Sequence, residues 1–130
     1  MIRSFFAACF MLLPTLALAS DPLLGIWRTE PDRKDLTAHI LVHACGQRIC
    51  GDVQEAFDSA GNSVVTQNVG RRLFWDLVPK GDGTYDEGTV FVPLMNVTAR
   101  AKVQIIGPDR IRVIGCKAMV CDGQVWTRVQ

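Results

Sequence analysis

The C-terminal stretch GCKAMVCDGQVWTR, residues Gly115–Arg128, carries the main clue to how this chain folds. It holds Cys116 and Cys121 in a C-x4-C spacing, and a Trp-x-Arg follows them. These features are typical of two strand ends joined by a tight turn with a disulfide across it. The expected partner of the Trp-x-Arg is Gly25-Ile26-Trp27, near the other end of the chain. The stretch therefore predicts that the first and last strands meet.

Apolar and polar residues alternate with a period of two along much of the chain. In VTARAKVQI, residues 97–105, the odd positions are apolar and the even positions are polar, which is typical of a strand with one face in water. Gly-Pro-Asp at 107–109 is a turn signal, and the alternation resumes after it. The same reasoning predicts eight short strands and no helix, with the strands near Leu24–Glu30, Thr37–Ala44, Ile49–Phe57, Arg71–Pro79, Tyr85–Val92, Thr98–Ile106, Arg110–Gly115 and Asp122–Val129.

Eight consecutive antiparallel strands leave two unpaired edges unless the sheet closes on itself. We therefore expect an all-β fold, an eight-stranded antiparallel up-and-down barrel. The connection from Asp58 to Asn68 is the longest, which makes it the best candidate for a mobile lid.

The first residues are typical of a secretory signal peptide. Arg3 precedes an apolar run from Phe5 to Leu16, and Ala17-Leu18-Ala19 supplies small residues before the cleavage site. We expect cleavage after Ala19, which leaves residues 20–130 as a single barrel domain in a periplasmic or secreted protein. The apolar run is shorter than the ~20 residues that span a bilayer, so no membrane span is expected. Charges are scattered and the net charge is +1, which argues against nucleic acid or an anionic membrane as a partner.

Four cysteines remain after the leader: Cys45, Cys50, Cys116 and Cys121. An even number in a small exported chain favours two disulfides, and we take Cys45–Cys50 and Cys116–Cys121 as the pairs. A four-cysteine zinc site is the alternative, although it normally has two residues between paired ligands. If each disulfide joins directly opposite residues across a four-residue loop, all four cysteines lie on the outer face of the barrel.

This register predicts which side chains face inward. Ala38, Ile40, Val42, Val53, Ile111 and Val113 would face the interior, with Trp126 opposite Ile111. Leu73, Trp75 and Leu77 would also face inward if Asp76 faces water. Arg128 would then lie inside beside Trp27, where a guanidinium can pack over the indole ring. The alternative is that Trp27 is ordinary core and Arg128 a charge at the rim.

These residues also resemble a known family. Gly25-x-Trp27 on a first strand and an arginine on the last are similar to the signature of lipocalin and calycin barrels. The whole mature chain resembles the exported bacterial family named domain of unknown function 2147. The matching pieces are Gly25-Ile26-Trp27, Ile49-Cys50-Gly51, Val113-Ile114-Gly115-Cys116 and Cys121 with Trp126-Thr127-Arg128. The segment 58–96 matches the family pattern less well, and the chain is shorter than a typical lipocalin. The resemblance implies a calycin-like barrel that closes at Gly25, Trp27, Trp126 and Arg128, and it carries over no catalytic residues.

The polar residues give little sign of catalysis. His39 and His43 are four residues apart, which spans ~13 Å on a strand and is too far for one metal ion. Asp82, Asp86 and Glu87 lack the ligand spacing of a calcium loop, so a solvated turn is the simpler interpretation. No serine or cysteine nucleophile is accompanied by a recognisable base. We expect neither an enzyme nor a cofactor.

The remaining candidate is the interior of the barrel. An eight-stranded barrel is wide enough either to be filled by side chains or to hold one small ligand. We predict a small, apolar ligand, with the cavity lined by Trp75, Phe91, Ala99, Ala101, Val113 and Gln124. The alternative is a filled barrel that acts as an interaction or inhibitor module on a periplasmic protein partner. The sequence alone leaves both open.

Overall fold

The computed structural model describes residues 21–130, and the predicted signal peptide lies outside them. Nine strands make up this part of the chain, and it contains no helix that is long and apolar enough to cross a bilayer. The strands are β1 Gly25–Arg28, β2 Thr37–Cys45, β3 Arg48–Phe57, β4 Ser63–Val64, β5 Arg72–Pro79, β6 Thr84–Val92, β7 Val97–Gly107, β8 Arg110–Lys117 and β9 Val120–Arg128.

The sheet closes into the predicted eight-stranded antiparallel barrel. Its order is β2-β1-β9-β8-β7-β6-β5-β3, and a direct β2–β3 pairing joins the two ends. The first and last strands pair, with Trp27 opposite Arg128. The two-residue strand β4 is an addition to the eight, and it pairs with the end of β3 outside the closed ring. It lies in the long connection that the sequence suggested as a lid.

The predicted alternation of inward and outward side chains is present along the whole of β7. Ala101 and Val103 are buried while Arg100, Lys102 and Gln104 are exposed. Its partner β8 continues the pattern, because Val103 lies opposite Val113 and Ile105 opposite Ile111. The predicted pair Ile111 and Trp126 is also present on β8 and β9. This side of the barrel has the parity that the sequence predicts.

The β5–β6 hairpin departs from that parity, so the predicted inward position of Trp75 is wrong. Asp76 and Glu87 adopt φ of 60° and 64°, and the register of β6 against β7 shifts between Tyr85 and Gly88. Such bulges change which face the following residue takes. Phe74 (1% exposed) and Leu77 (0%) fill the core, and Leu73 packs against it. Trp75 is half-buried on the outer face, opposite Thr89.

Phe91 also lies outside, contrary to its predicted place in the cavity. It alternates with Val90, whose buried side chain lies opposite the inward-facing Ala99. Phe91 itself is opposite Thr98, which is exposed. Its ring lies under Arg71, with the guanidinium carbon 4.0 Å from the ring centroid. The aromatic ring is thus covered by a cation on the outer wall.

Both predicted disulfides are present, but only one has the predicted geometry. Cys116 and Cys121 are directly opposite each other on β8 and β9. In the other hairpin the turn is only two residues long, Gly46-Gln47, so Cys45 is opposite Arg48. The Cys45–Cys50 disulfide is therefore diagonal. Residues two apart on a strand share a face, so both cysteines still lie on one side of the hairpin.

Candidate functional site

The two ends of the barrel are built differently. The closed end carries the turns at 46–47, 80–83 and 108–109, together with the N-terminal segment 21–24. The mouth, at the other end, carries the connections 29–36, 58–71, 93–96 and 118–119. The two disulfides lie one at each end, Cys45–Cys50 near the closed end and Cys116–Cys121 near the mouth.

The N-terminal segment plugs the closed end. Leu23 is fully buried, and its carbonyl accepts a 2.9 Å hydrogen bond from the Trp27 indole. The Tyr85 hydroxyl donates to the Asp21 carboxylate. Burial raises the pKa of Tyr85 above its usual value, and the Asp21 carboxylate raises it further. This plug could not be predicted from the sequence, because the segment is too short for a periodic pattern.

Arg128 packs over Trp27 beside the plug, in the arrangement that one of the two sequence interpretations proposed. Its guanidinium carbon is 4.2 Å from the Trp27 ring, and its Nη1 donates to the Leu24 carbonyl at 3.1 Å. Its Nη2 donates to the Pro22 carbonyl. Gly25 leaves room for this group, because a Cβ there would lie 2.7 Å from the Arg128 Nη1. The motif fastens the N-terminal segment to the last strand.

Aromatic side chains form a floor in the middle of the barrel. Phe74 and Trp126 are 1% and 3% exposed, and their ring centroids are 6.2 Å apart. Below them the interior is filled by the core that reaches Trp27. Ala101, predicted to line the cavity, faces inward but is 1% exposed within this core. Neighbouring side chains therefore cover Ala101 and leave no surface there for a ligand.

Above the floor, the inner face carries the least enclosed residues of the core. Val90 and Val113 are 9% and 8% exposed, and Ala99 is half-buried. Gln124 lies opposite Val113 and is exposed, and its Oε1 accepts a 3.0 Å hydrogen bond from the Trp126 indole. These four residues and the floor define the mouth lining. From Trp126 to the rim at Asp122 is four residues, or ~13 Å along a strand, so the mouth is shallow.

The rim of the mouth is unusually apolar for a set of connecting loops. Of the eight large hydrophobic side chains that are exposed in residues 21–130, five lie on mouth connections and a sixth begins β9 beside them: Val65, Val69, Leu94, Met95, Met119 and Val120. Val65 and Met119 are almost fully exposed, at 99% and 98%. We refer to these six residues as the apolar rim. Leucine, methionine and valine at turn positions are a visible signal of this rim in the sequence.

The long connection at the rim is tied to the barrel at both ends. Its first part forms a turn in which the Asp58 Oδ1 accepts hydrogen bonds from the backbone amides of Ala60 and Asn62, at 3.0 and 2.9 Å, and β4 then pairs with the end of β3. At the other end the Gly70 amide donates to the Val53 carbonyl at 2.7 Å. Its predicted role as a mobile lid stays a prediction.

The histidines and the acidic turn lie outside the mouth. His39 stacks on Phe57 on the outer wall, and burial, followed by the neighbouring Arg28, lowers the pKa of His39. His43 bonds to Asp52. Within residues 21–130 no three His, Cys, Asp or Glu side chains are grouped to hold a metal ion.

The acidic residues of the β5–β6 hairpin are engaged in ion pairs. Asp86 contacts Arg100 at 3.2 Å, and Glu87 contacts Lys80 at 2.6 Å. Asp82 accepts a hydrogen bond from the Thr84 amide at 3.1 Å. Each carboxylate therefore has a partner within the protein.

Comparisons with known proteins agree with this architecture. A family model described as "Uncharacterized protein conserved in bacteria (DUF2147)" matches residues 25–128. No curated protein sequence matches the chain. Among solved structures, a protein of Helicobacter pylori, HP1028, described as belonging to the lipocalin family, superimposes with a TM-score of 0.66. The match covers 83% of each chain at 13% identity, so it shows a shared fold.

Proposed function

Since this chain belongs to the DUF2147 family and has a lipocalin-like barrel with an open end, we propose that it binds a small apolar ligand at the mouth. The apolar rim is the observation that carries the proposal, because a group of exposed apolar side chains at one end of a barrel is typical of a binding site. Methionine adapts its shape to different apolar partners, and the rim has two. Two disulfides indicate an oxidising compartment outside the cytoplasm, and we propose the periplasm or the secreted fraction.

The mouth lining fits the end of an apolar chain or a single ring. Its walls are aliphatic, and its floor is the edge of two aromatic rings. Gln124 is the one polar side chain of the mouth lining, and it is placed to orient a polar group of the ligand. We further propose that the protein acts by binding alone, without catalysis or cofactor.

Tryptophan fluorescence tests this proposal directly. Trp126 forms the floor, whereas Trp75 lies on the outer wall and Trp27 beneath the plug. In a Trp75→Phe background, a panel of fatty acids, lipids and aromatic compounds should shift or quench the emission of Trp126. Replacing Trp126 by Phe should abolish that response. No change in Trp126 emission with any compound of the panel, and no shift in melting temperature, would refute ligand binding.

A matched pair of substitutions locates the site. Ala99→Phe fills the mouth from its half-buried inner face, and we expect it to abolish the fluorescence response. Thr98→Phe adds the same ring one residue away on the exposed outer face, so binding should be unchanged. Equal binding by the two variants would place the ligand elsewhere.

The extreme exposure of Val65 and Met119 also favours a second candidate function, docking of the rim into a protein partner. Affinity capture from periplasmic extract distinguishes the two functions. A partner retained by the wild type and Ala99→Phe but lost by Met119→Ser would support docking through the rim. No partner with either protein would exclude it.

A further inference from the structure

Two disulfides of identical spacing have different surroundings in this protein. On the outward face of the β2–β3 hairpin, Cys45 lies opposite Arg48, and Cys50 lies opposite His43. The Cys45–Cys50 disulfide thus runs diagonally between two basic residues. In the other hairpin, the next pair along the face that carries Cys116–Cys121 is Ile114 opposite Gly123. The first disulfide therefore has a histidine and an arginine beside it, whereas the second has Arg100 of β7 opposite Cys116 and no histidine.

The side chain of His43 is oriented towards the disulfide. Its Nδ1 is 3.8 Å from the Cys45 Sγ, while its Nε2 is 2.7 Å from the Asp52 Oδ2. The other oxygen of Asp52 lies 3.0 Å from the Arg72 Nε. A carboxylate on one ring nitrogen fixes the orientation of an imidazole.

The other groups around His43 are few. Asp52 on β3 is the charged group in contact with it, with Arg72 on β5 behind Asp52. Arg48 lies one pair further along the same face, and its Nη1 donates to the Asp76 carbonyl at 3.3 Å. On the other side of β2, β1 places Ile26 opposite Leu41. The Ala44 carbonyl oxygen lies 3.2 Å from the His43 Nδ1, so both ring nitrogens have an oxygen partner and the Nδ1 edge also faces the Cys45 sulfur.

From this arrangement we propose that Cys45–Cys50 is a thiol–disulfide exchange site whose substrate is a free thiol, on a small molecule or on a dithiol protein. A Cys residue beside a cation has a lowered thiol pKa, and a thiol of lower pKa is a better leaving group in exchange. The proposal concerns the outer wall near the closed end and does not depend on ligand binding at the mouth.

The two sulfurs would take different roles. Cys45 is half-buried and Cys50 is 2% exposed, so the incoming thiolate attacks the Cys45 Sγ. A new S–S bond forms between the thiol and Cys45, the Cys45–Cys50 bond breaks, and Cys50 leaves as a thiolate that takes a proton from His43. A second thiol then attacks the sulfur of the first, releases Cys45 as a thiol and leaves the two external thiols as a disulfide. The protein disulfide gains two electrons, and the two thiols lose them.

The second disulfide serves as an internal control in the experiment. Both close loops of the same length, with a sequence separation of 5, so the chain entropy of closure is matched. Cys121 is exposed and Cys50 is buried, so solvent access alone predicts that Cys116–Cys121 is reduced first. The proposal predicts the opposite order.

The test is timed reduction of the full folded protein with dithiothreitol or glutathione, followed by alkylation and peptide mapping. We expect Cys45–Cys50 to be reduced faster than Cys116–Cys121 by about tenfold, less than the ~10²–10⁴ of an enclosed general acid, because His43 is partly exposed. His43→Gln should remove that advantage. His39→Gln replaces the other histidine on the outer side of the same strand, away from the disulfide, and should leave it unchanged.

One further measurement completes the test. Glutathione carries one thiol and dithiothreitol carries two. Comparing the two reagents shows whether a mixed disulfide on Cys45 accumulates or is resolved by the second thiol of the same reagent molecule. Reduction of Cys116–Cys121 first, or equal rates in wild type and His43→Gln, would overturn the proposal.

Discussion

Replacing Arg128 by Met should destabilise the protein far more than replacing an ordinary surface arginine. Methionine keeps most of the apolar stem and removes the charge and the donors. In the folded protein the guanidinium packs 4.2 Å from the Trp27 ring and donates to the carbonyls of Leu24 and Pro22. The change therefore releases the N-terminal plug from the last strand.

The expected loss can be built from these contacts. A partly buried cation–π pair contributes about 1 kcal/mol. A hydrogen bond from a charged donor contributes about 1.5–3 kcal/mol, and we count only the one to Leu24 because Pro22 is exposed and water can replace its partner. The ion pair with Asp109 is long, at 3.8 Å, and Asp109 is mostly exposed, so we give it no weight. The sum is about 2–4 kcal/mol.

Urea unfolding followed by circular dichroism measures this difference in the free energy of unfolding. In thermal unfolding, at roughly 4 °C per kcal/mol for a domain of this size, the melting temperature should fall by about 8–16 °C. Arg112→Met is the control, since Arg112 is exposed on β8, and its effect should stay within about 0.5 kcal/mol. Arg128→Lys keeps the charge but lacks the planar fork, so it should fall between wild type and Arg128→Met. If Arg128→Met costs no more than Arg112→Met, the fastening role of Arg128 is wrong.

Two other substitutions probe the packing and the buried hydroxyl. Gly51→Ala should cost about 2–3 kcal/mol of unfolding free energy in urea titrations, because the new Cβ would lie 2.3 Å from a ring carbon of Phe74. Gly115→Ala, whose Cβ would meet Val90 at 3.3 Å, should cost less, and equal costs would contradict the packing argument. Tyr85 is the single tyrosine, so the phenolate absorbance reports on it alone. Its pKa is raised on folding from the ordinary 10.0 because the folded protein favours the neutral phenol, so this contribution to stability is complete below about pH 10 and is lost at higher pH. The Tyr85 hydroxyl should ionise at a higher pH in the native protein than in urea. Tyr85→Phe should reduce the loss of stability at alkaline pH. Identical titrations in the two states would refute the Asp21 contact.

Local patterns were sufficient to predict most of the fold. The alternation of apolar and polar residues in β7 predicts a strand with one face in water. This could be read locally because a period of two is a property of the strand itself. The even number of cysteines predicted both disulfides. The need to remove sheet edges predicted that β1 pairs with β9.

Which aromatic residues face the interior was decided only by the tertiary structure. Asp76 and Glu87 take a left-handed backbone conformation although neither is glycine. The local sequence therefore did not predict the bulges that turn Trp75 outward. The candidate site shows the same limit. Ala99, Val113 and Gln124 were placed at the mouth by parity alone, but whether Ala101 is covered depends on how the core side chains pack across the barrel.

The stretch GCKAMVCDGQVWTR by itself determined the last hairpin, its disulfide and the inward direction of Trp126, because these follow from strand parity and short-range spacing. What Arg128 does was left open between a rim charge and a partner of Trp27. The tertiary structure decided it, because the Leu24 and Pro22 carbonyls reach the guanidinium only after the barrel has closed and residues separated by 104 and 106 positions have met.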